Sequence, residues 1–324
     1  MKTSVICTLF ENTYHYGVAA LVNSLGNRGF QGEFFAGYRG EMPAWAKKAA
    51  KNEELNWPGA QSLQVKEGFL LHFLPLTTDS HLTNYKPDFM LQLWEGPASQ
   101  ATHLFYLDPD IVVETNWPFF EEWAGCGIAV CEDVNSPMGE NHPRRRGWRH
   151  YFQDYGVQLQ FKESAYANGG FVGVSDRNKG FLHLWQRIQD IMAYEIGGLH
   201  NSQFGNGNDS AKKLDDPFYM FSKTDQDALN AALEAWEGDV SFVGKEAMGF
   251  GSSASLLPHA VGSAKPWNSN PLWMALKGYP PRQIDRSYHQ NSRGYIAVHS
   301  KSHYFKRKIE LRLAGMIGRF YKRS

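Results

Sequence analysis

Two aspartates one residue apart, Asp108 and Asp110, interrupt a run that otherwise reads as a buried strand: Leu104-Phe105-Tyr106-Leu107 before them and Ile111-Val112-Val113 after. An ionised carboxylate in an apolar setting is costly unless it is paired. Two of them projecting from one strand end need a cation between them. Strand ends of open α/β sheets are where ligands bind, so the pair is a candidate metal site. Alone it is weak evidence, since an Asp-x-Asp arises by chance about once in a chain of this size and composition. Three further groupings add to it.

Thr224-Asp225-Gln226-Asp227 opens a helical pattern with Ala228, Leu229, Ala232, Leu233 and Trp236 on one face. Thr224 fits the N-cap and Asp227 the capping-box position three residues on. Asp225 and Gln226 are then left to meet a polar or anionic ligand at a helix N-terminus. In Asn168-Gly169-Gly170-Phe171 the glycines admit close backbone approach, and Asn168 offers both donor and acceptor to sugar hydroxyls; an ordinary turn before a strand would use the same residues. In His259-Ala260-Val261-Gly262-Ser263-Ala264-Lys265-Pro266-Trp267 a histidine shares a loop with a glycine that bares backbone N–H groups and a lysine suited to phosphate. Imidazole with two carboxylates suits Mn²⁺ better than Mg²⁺, which prefers oxygen ligands and keeps its waters. Mg²⁺ stands as the second choice.

The elements that must carry these groups alternate. Residues 5–10 form an apolar run of strand length, a polar aromatic turn follows at 11–16, and Val18, Leu21, Val22 and Leu25 recur at helical spacing. Strands are expected at 33–36, 69–74, 127–131, 171–174 and 240–243, with helices around Met90-Leu91 and Trp94, over 117–123 with Pro118 in the first turn, and along Phe181, Leu184, Trp185, Ile188, Ile191 and Met192. Strands alternating with helices predict a doubly wound α/β domain with a mixed, mostly parallel sheet and flanking helices. Residues 135–156 and 201–216, polar and containing glycine or proline, read as loops over the site.

Composition bounds the partners. Lysine plus arginine equals aspartate plus glutamate at 33 each, so the overall charge gives no sign of a nucleic-acid partner. Three cysteines, Cys7, Cys126 and Cys131, offer no disulfide framework or zinc site, which fits a reduced, cytoplasmic protein. No segment is apolar for long enough to be a signal peptide or a membrane span.

Asp108-Pro109-Asp110, Asn168-Gly169-Gly170, Asp225-Gln226-Asp227-Ala228-Leu229-Asn230 and His259-x-x-Gly262-x-x-Lys265-Pro266-Trp267 occur in the order seen in the family 8 retaining glycosyltransferases, which include glycogenin and galactosyltransferases of bacterial lipooligosaccharide. The opening segment, with Thr8, Tyr14 and Ser24-Leu25, also resembles that family, and the likeness covers roughly residues 3–270. It implies a GT-A-like fold and a metal-dependent transfer of a hexose from a UDP-sugar to a glycan or other hydroxyl acceptor. It further implies Mn²⁺ held by Asp108, Asp110 and His259, and the donor diphosphate met by Gly262 and Lys265. Lys86, Asp133, Asn168 and Asp225 would bind the donor sugar, and Gln226, with Asp225, would act at the anomeric carbon. Thr8 and Tyr14 would line the uridine pocket, with Tyr16 equally placed to stack. Three departures stand out: Lys86 replaces the family's usual arginine and gives charge without a bidentate fork, Asn168-Gly169-Gly170 lacks the usual small residue between Asn and Gly, and the nucleotide-loop acids are reduced to Glu11.

An amide such as Gln226 is a poor nucleophile, which favours positioning and charge support over a covalent intermediate. The resemblance implies front-face transfer with retention. Inversion would need a carboxylate base, for which Glu132 and Asp133 are the candidates. Two other functions share the plan. A sugar nucleotidyltransferase would carry a glycine-rich loop at the first strand–helix turn, where this chain has Glu11-Asn12-Thr13-Tyr14-His15-Tyr16-Gly17. A catalytically silent sugar-nucleotide binding module would bind UDP without turnover.

Arg144-Arg145-Arg146-Gly147-Trp148-Arg149-His150 reads either as a grip for an acidic acceptor or as a solvated loop balanced by nearby acids. Residues 1–270 form the expected catalytic domain and residues 271–324 an extension. Its last 24 residues carry eight basic residues and one acid, Glu310, a local charge of about +7. Phe305, Ile309, Leu313, Met316 and Phe320 make one helical stripe flanked by Lys308, Arg312, Arg319 and Lys322. Such a helix fits peripheral contact with an anionic membrane, on the inner face of the plasma membrane, and equally fits packing on the domain with its basic flank in water.

Overall fold

A computed structural model describes residues 3–203, 216, 218–251 and 255–321. The first strand, β1 (Ser4–Glu11), shows why a continuous apolar run makes a doubly covered strand: Val5, Cys7 and Leu9 join the core on one face of the sheet, and Ile6 and Phe10 join the core on the other. After it come α1 (His15–Asn27), β2 (Gly32–Arg39), β3 (Ala50–Lys51), β4 (Gln61–Lys66), β5 (Phe69–Pro75), α2 (Lys86–Glu95) and β6 (His103–Leu107). The chain continues through α3 (Pro118–Ala124), β7 (Ile128–Glu132), α4 (Pro143–Gln153), β8 (Ala167–Ser175), α5 (Gly180–Ile196), α6 (Thr224–Ala235) and β9 (Val240–Val243). Three helices close it: α7 (Pro271–Leu276), α8 (Gln283–Asn291) and α9 (Lys301–Ile317).

Among the described residues nine strands form one sheet in the order β3-β4-β5-β2-β1-β6-β8-β7-β9. Only β4 and β8 run against the other seven, so the sheet is mixed with a dominant direction, as expected. Helices α2, α4, α5 and α6 cover one face through residues such as Trp94, Trp148, Trp185 and Leu229, and α1 and α3 cover the other through Leu21, Leu25, Phe120 and Trp123. This is the GT-A-like α/β architecture that the sequence predicts.

Residues 135–156 are not all loop. Pro143–Gln153 is a helix whose buried face combines Trp148 and Phe152 with Arg144 and Arg145. Arg144 Nη1 lies 3.3 Å from Asp227 Oδ1, and Arg145 Nη1 lies 2.5 Å from Glu234 Oε1, both acids on α6. Neither arginine is a grip for an acceptor nor part of a solvated loop, because burial without these acids would strand their charge. Within the other expected loop, 201–216, residues 204–215 lie outside the described residues.

Helix α8 packs against α1, where Ile284 and Tyr288 share a buried cluster with Ala20. Asn23 of α1 is fully buried: its Nδ2 donates to the carbonyls of Asn291 (2.7 Å) and Ile296 (2.8 Å), and its Oδ1 accepts from the N–H of Ile296 (2.9 Å). Helix α9 buries Leu311 and Ala314, whereas the stripe Phe305, Ile309, Leu313, Met316 and Phe320 is exposed, Phe320 to 90%. Lys322 lies outside the described residues. Among the described residues no helix is long and apolar enough to cross a membrane.

Candidate active site

Asp108 follows β6 directly, and its N–H donates to the Gly170 carbonyl at 2.8 Å, which extends the β6–β8 ladder into the site. The turn through Pro109 and Asp110 is tight, with Ile111 N–H bonded to Asp108 O at 3.1 Å. Residues 110–114 then run antiparallel to 256–260. Ile111 pairs with His259, Val112 N–H donates to Pro258 O (3.0 Å), and Ala260 N–H donates to Asp110 O (3.1 Å). That short pairing carries a histidine from far along the chain to the two aspartates. Asp108, Asp110 and His259 each offer one ligand atom within 4.8 Å of one another, and among the described residues they are the one cluster of this kind.

The donor set, two carboxylates from one turn and one imidazole, fits a divalent cation. His259 Nε2 lies 3.1 Å from Asp110 Oδ1 and 3.7 Å from Asp108 Oδ2. Its buried Nδ1 has no hydrogen-bond partner among the described residues. On the other side of Asp110, Lys265 Nζ approaches Oδ2 at 2.5 Å and also donates to Ala260 O at 2.7 Å. Burial alone would raise the Asp110 pKa; the charges and hydrogen bonds of His259 and Lys265 outweigh it and hold the carboxyl below the usual carboxylate range.

Lys86, at the start of α2, is completely enclosed. Its ammonium contacts Gly169 O (2.8 Å), Asp225 Oδ2 (2.9 Å) and Asp108 Oδ1 (3.2 Å). Desolvation would lower its pKa, but the carboxylates of Asp108 and Asp225 raise it above the ordinary lysine value. Lys86 is therefore a fixed cation linking the metal-site carboxylate to the start of α6. Three acids, Asp108, Asp110 and Asp225, are interleaved here with two ammonium groups, so the cluster has little net charge until a ligand enters.

The expected helix start is shifted by one residue. Lys223 is the N-cap and Thr224 the first helical residue, with its hydroxyl buried and unpartnered among the described residues. Asp227 does reach back, accepting from Lys223 N–H at 2.7 Å, and its other oxygen accepts from Tyr166 OH at 2.7 Å. These bonds explain Asp227 structurally, while Asp225 pairs with Lys86. Gln226 Oε1 accepts from the Gly169 N–H at 3.2 Å, which sets the amide beside the same two glycines.

Those glycines are demanded by side chains as well as by any ligand. A Cβ on Gly170 would stand 2.6 Å from His259 Cε1 and 3.0 Å from Asp108 Oδ2, and one on Gly169 would stand 2.9 Å from Asp225 Oδ2. Asn168 Nδ2 donates to Asp133 Oδ2 at 2.6 Å while its Oδ1 accepts from Gly170 N–H at 2.9 Å. Asp133 also accepts from the Asn135 N–H at 2.9 Å. The buried Asp133–Asn168 pair thus braces the glycine strand.

Tyr14 packs edge-on to Trp267 with centroids 5.6 Å apart, and Lys265 Nζ sits 5.4 Å from its ring centroid. Tyr16 stacks on His299 at 5.3 Å. Thr8 lies at 0% exposure on β1, its hydroxyl unpartnered among the described residues. Gly262 adopts a φ of +83°, a conformation that glycine takes readily. The fold therefore gathers Lys86, Asp108, Asp110, Asn168, Asp225, Gln226, His259 and Lys265 into one hydrogen-bonded region, with Tyr14 at its edge. Thr8 is not joined to it by any side-chain hydrogen bond among the described residues.

Sequence reasoning misses two residues here. Tyr106 OH donates to Asp108 Oδ1 at 2.9 Å; its position two residues before Asp108, on the same strand face, was the available signal. A Cβ on Gly17 would lie 2.1 Å from Pro109 O and 2.9 Å from the Trp267 ring, so this glycine lets α1 close against the Asp-Pro-Asp turn. Its only sequence signal was a glycine in the first turn of a helix.

No protein-family model matches the chain, and no curated protein sequence does. Solved structures do. The glycosyltransferase GlyE of Streptococcus pneumoniae TIGR4 superposes with a TM-score of 0.53 at 12% identity, over 95% of this chain and 64% of its own. This chain thus spans just under two thirds of GlyE. An active-site mutant of LgtC superposes with a TM-score of 0.52 at 14% identity, over 92% of this chain and 98% of its own. The chain shares the fold of these proteins, and its candidate metal cluster stands at the end of a central strand of that fold.

Proposed function

We propose that this protein is a divalent-metal-dependent glycosyltransferase that moves a hexose from a UDP-sugar to a hydroxyl of a glycan or other acceptor, with retention. The observation that carries the reading is the Asp108–Asp110–His259 cluster, flanked by Lys265 on one side and by Lys86 with Asp225 on the other. The fold of the glycosyltransferases GlyE and LgtC supports it.

In this reading Asp108, Asp110 and His259 hold Mn²⁺. The bound ion supplies Lewis-acid stabilisation of the diphosphate that leaves. Lys265 and the backbone of Gly262 neutralise the same developing charge, since donors aimed at where charge appears lower the barrier most. Asp225, Asn168 and Asp133 orient the donor sugar, with Lys86 fixing Asp225. Gln226 stands at the anomeric face and supports positive charge there. Tyr14, and Thr8 within β1, line the uridine side. Asp133 accepts bonds from Asn168 and Asn135, which suits a positioning carboxylate better than the general base that inversion would need. The exposed apolar stripe of α9 between basic residues supports peripheral contact with an anionic cytoplasmic membrane surface.

The test is a panel of UDP-sugars assayed for Mn²⁺-dependent donor hydrolysis and transfer, with the anomeric configuration of the product read by NMR. The expected result is turnover of one donor with retained configuration. No turnover of any donor, with tight UDP binding, would replace this reading by a silent binding module.

A further inference from the structure

We propose that Arg282, which belongs to none of the four groupings in the sequence, is a positioning residue for the loop that carries Gly262 and Lys265. The inference rests on reading that loop as the diphosphate-binding segment. Arg282 is the N-cap residue of α8, in the segment after residue 270. Its guanidinium donates from Nη1 to Val261 O at 3.2 Å and from Nη2 to Ala264 O at 2.6 Å. These two carbonyls bracket Gly262 and Ser263, so one planar group grips both ends of the turn.

The fork is itself held. Asp285 Oδ2 accepts from Arg282 Nε at 3.2 Å and from its backbone N–H at 2.8 Å, and Asp285 Oδ1 accepts from Nη2 at 3.0 Å. Helix α8 is anchored beneath the same loop: Ile284 and Tyr288 share a buried cluster with Ala260 and Val112, and Tyr288 packs 5.5 Å from the Trp267 ring. Arg282 therefore reaches the loop from a rigid support.

The consequence follows from peptide geometry. Across a trans peptide the C=O and the next N–H point in opposite directions. Fixing the Val261 carbonyl toward Arg282 aims the Gly262 N–H away from it, toward the side where this reading puts the diphosphate, and the positive φ of Gly262 (+83°) continues the turn. Lys265 N–H closes the turn on Ser263 O at 3.0 Å, while the Lys265 side chain extends to Asp110. A guanidinium can hold two carbonyls at once; a lysine ammonium, a point charge on a flexible stem, holds such a pair less rigidly.

The experiment compares binding of UDP with Mn²⁺, by calorimetry, and of uridine alone, by NMR titration, in the full chain and in Arg282→Gln, Arg282→Lys and Asp285→Asn, with thermal unfolding of each. Expected is a loss of UDP affinity on the order of tenfold in Arg282→Gln, smaller in Arg282→Lys, with uridine affinity unchanged. Asp285→Asn, which keeps the guanidinium but loosens it, reports the same split if Arg282→Gln does not fold. UDP affinity unchanged in folded variants overturns the proposal, as does an equal loss for uridine, which would mark a general structural role. A wild-type chain that binds no UDP overturns instead the functional reading beneath it, and the proposal falls with that reading.

Discussion

Lys265 Nζ lies 2.5 Å from Asp110 Oδ2, on the carboxylate oxygen opposite the one that faces His259 Nε2 at 3.1 Å. In the proposed reading, the lysine that would meet the diphosphate thus already neutralises a carboxylate that would hold the metal. The two jobs compete. A cation entering among Asp108, Asp110 and His259 meets an ammonium group beside it until a polyanion draws that group away. Metal and nucleotide binding should therefore be strongly coupled, and the coupling must be reciprocal. In Lys265→Gln, Mn²⁺ affinity without nucleotide should rise, while UDP affinity falls by on the order of tenfold. Mn²⁺ titrations followed by electron paramagnetic resonance, with and without UDP, would show it; unchanged Mn²⁺ affinity without nucleotide counts against the competition.

Gly170 gives a second test. An added methyl would fall 2.6 Å from His259 Cε1, with Asn168 Oδ1 at 2.8 Å. Because β8 and Asp108 share the backbone bond at Gly170 O, the strand has little room to retreat. Gly170→Ala should displace the imidazole and weaken Mn²⁺·UDP binding at least about tenfold, with overpacking costing ~1–3 kcal/mol of stability. Metal affinity equal to wild type in a folded Gly170→Ala protein would mean that His259 is not a ligand.

The contact between the last helices carries a pH dependence. The His289 ring stacks on Tyr304 at 4.3 Å, and His299 stacks between Tyr16 and His303. Both imidazoles are pushed down to about 4. Burial is the main cause; Arg307 and Lys308 add to it at His289, and His303 and Arg307 at His299. Folding therefore favours the neutral rings. The stability they contribute is complete above the unfolded-state value of about 6.5 and is lost as pH falls toward 4. Urea unfolding between pH 7.5 and 4 should show that decline, and His299→Gln should flatten part of it. An identical slope in the variant would remove His299 from the explanation.

Helix α9 offers its apolar stripe to solvent. With Phe305 and Ile309 both more than half exposed, Phe305→Glu with Ile309→Glu should fold as wild type and keep donor hydrolysis. The same pair should abolish co-sedimentation with anionic vesicles, since basic residues alone contribute only ~1 kcal/mol each near such a surface. If the wild-type protein ignores these vesicles at low salt, the membrane contact is wrong.

Where side-chain type and spacing coincide, the site is legible in the sequence. Asp108 and Asp110 are conspicuous because charge interrupts an apolar strand, and His259 and Lys265 because they share one short loop. The architecture was legible for the same reason, since apolar runs and helical stripes alternate from residue 5 to residue 243. Helix α4 was not. Its buried face contains Arg144 and Arg145, whose neutralising partners Asp227 and Glu234 lie on α6, so no local pattern distinguishes it from a basic loop. The Thr224 cap failed by one residue because helix ends depend on backbone angles that hydroxyl and carboxylate residues only bias. The stripe on α9 was visible, but which side of that helix meets the domain is set by Leu311 and Ala314. Arg282 had no signal at all, because its partners are backbone carbonyls.

The central claim is that Asp108, Asp110 and His259 hold a catalytic metal. Donor turnover by Asp110→Ala, measured across an Mn²⁺ titration beside the wild type, tests it most directly. The account predicts a fall of at least ~10²-fold that excess Mn²⁺ does not restore. Wild-type, Mn²⁺-dependent turnover in that variant would contradict it.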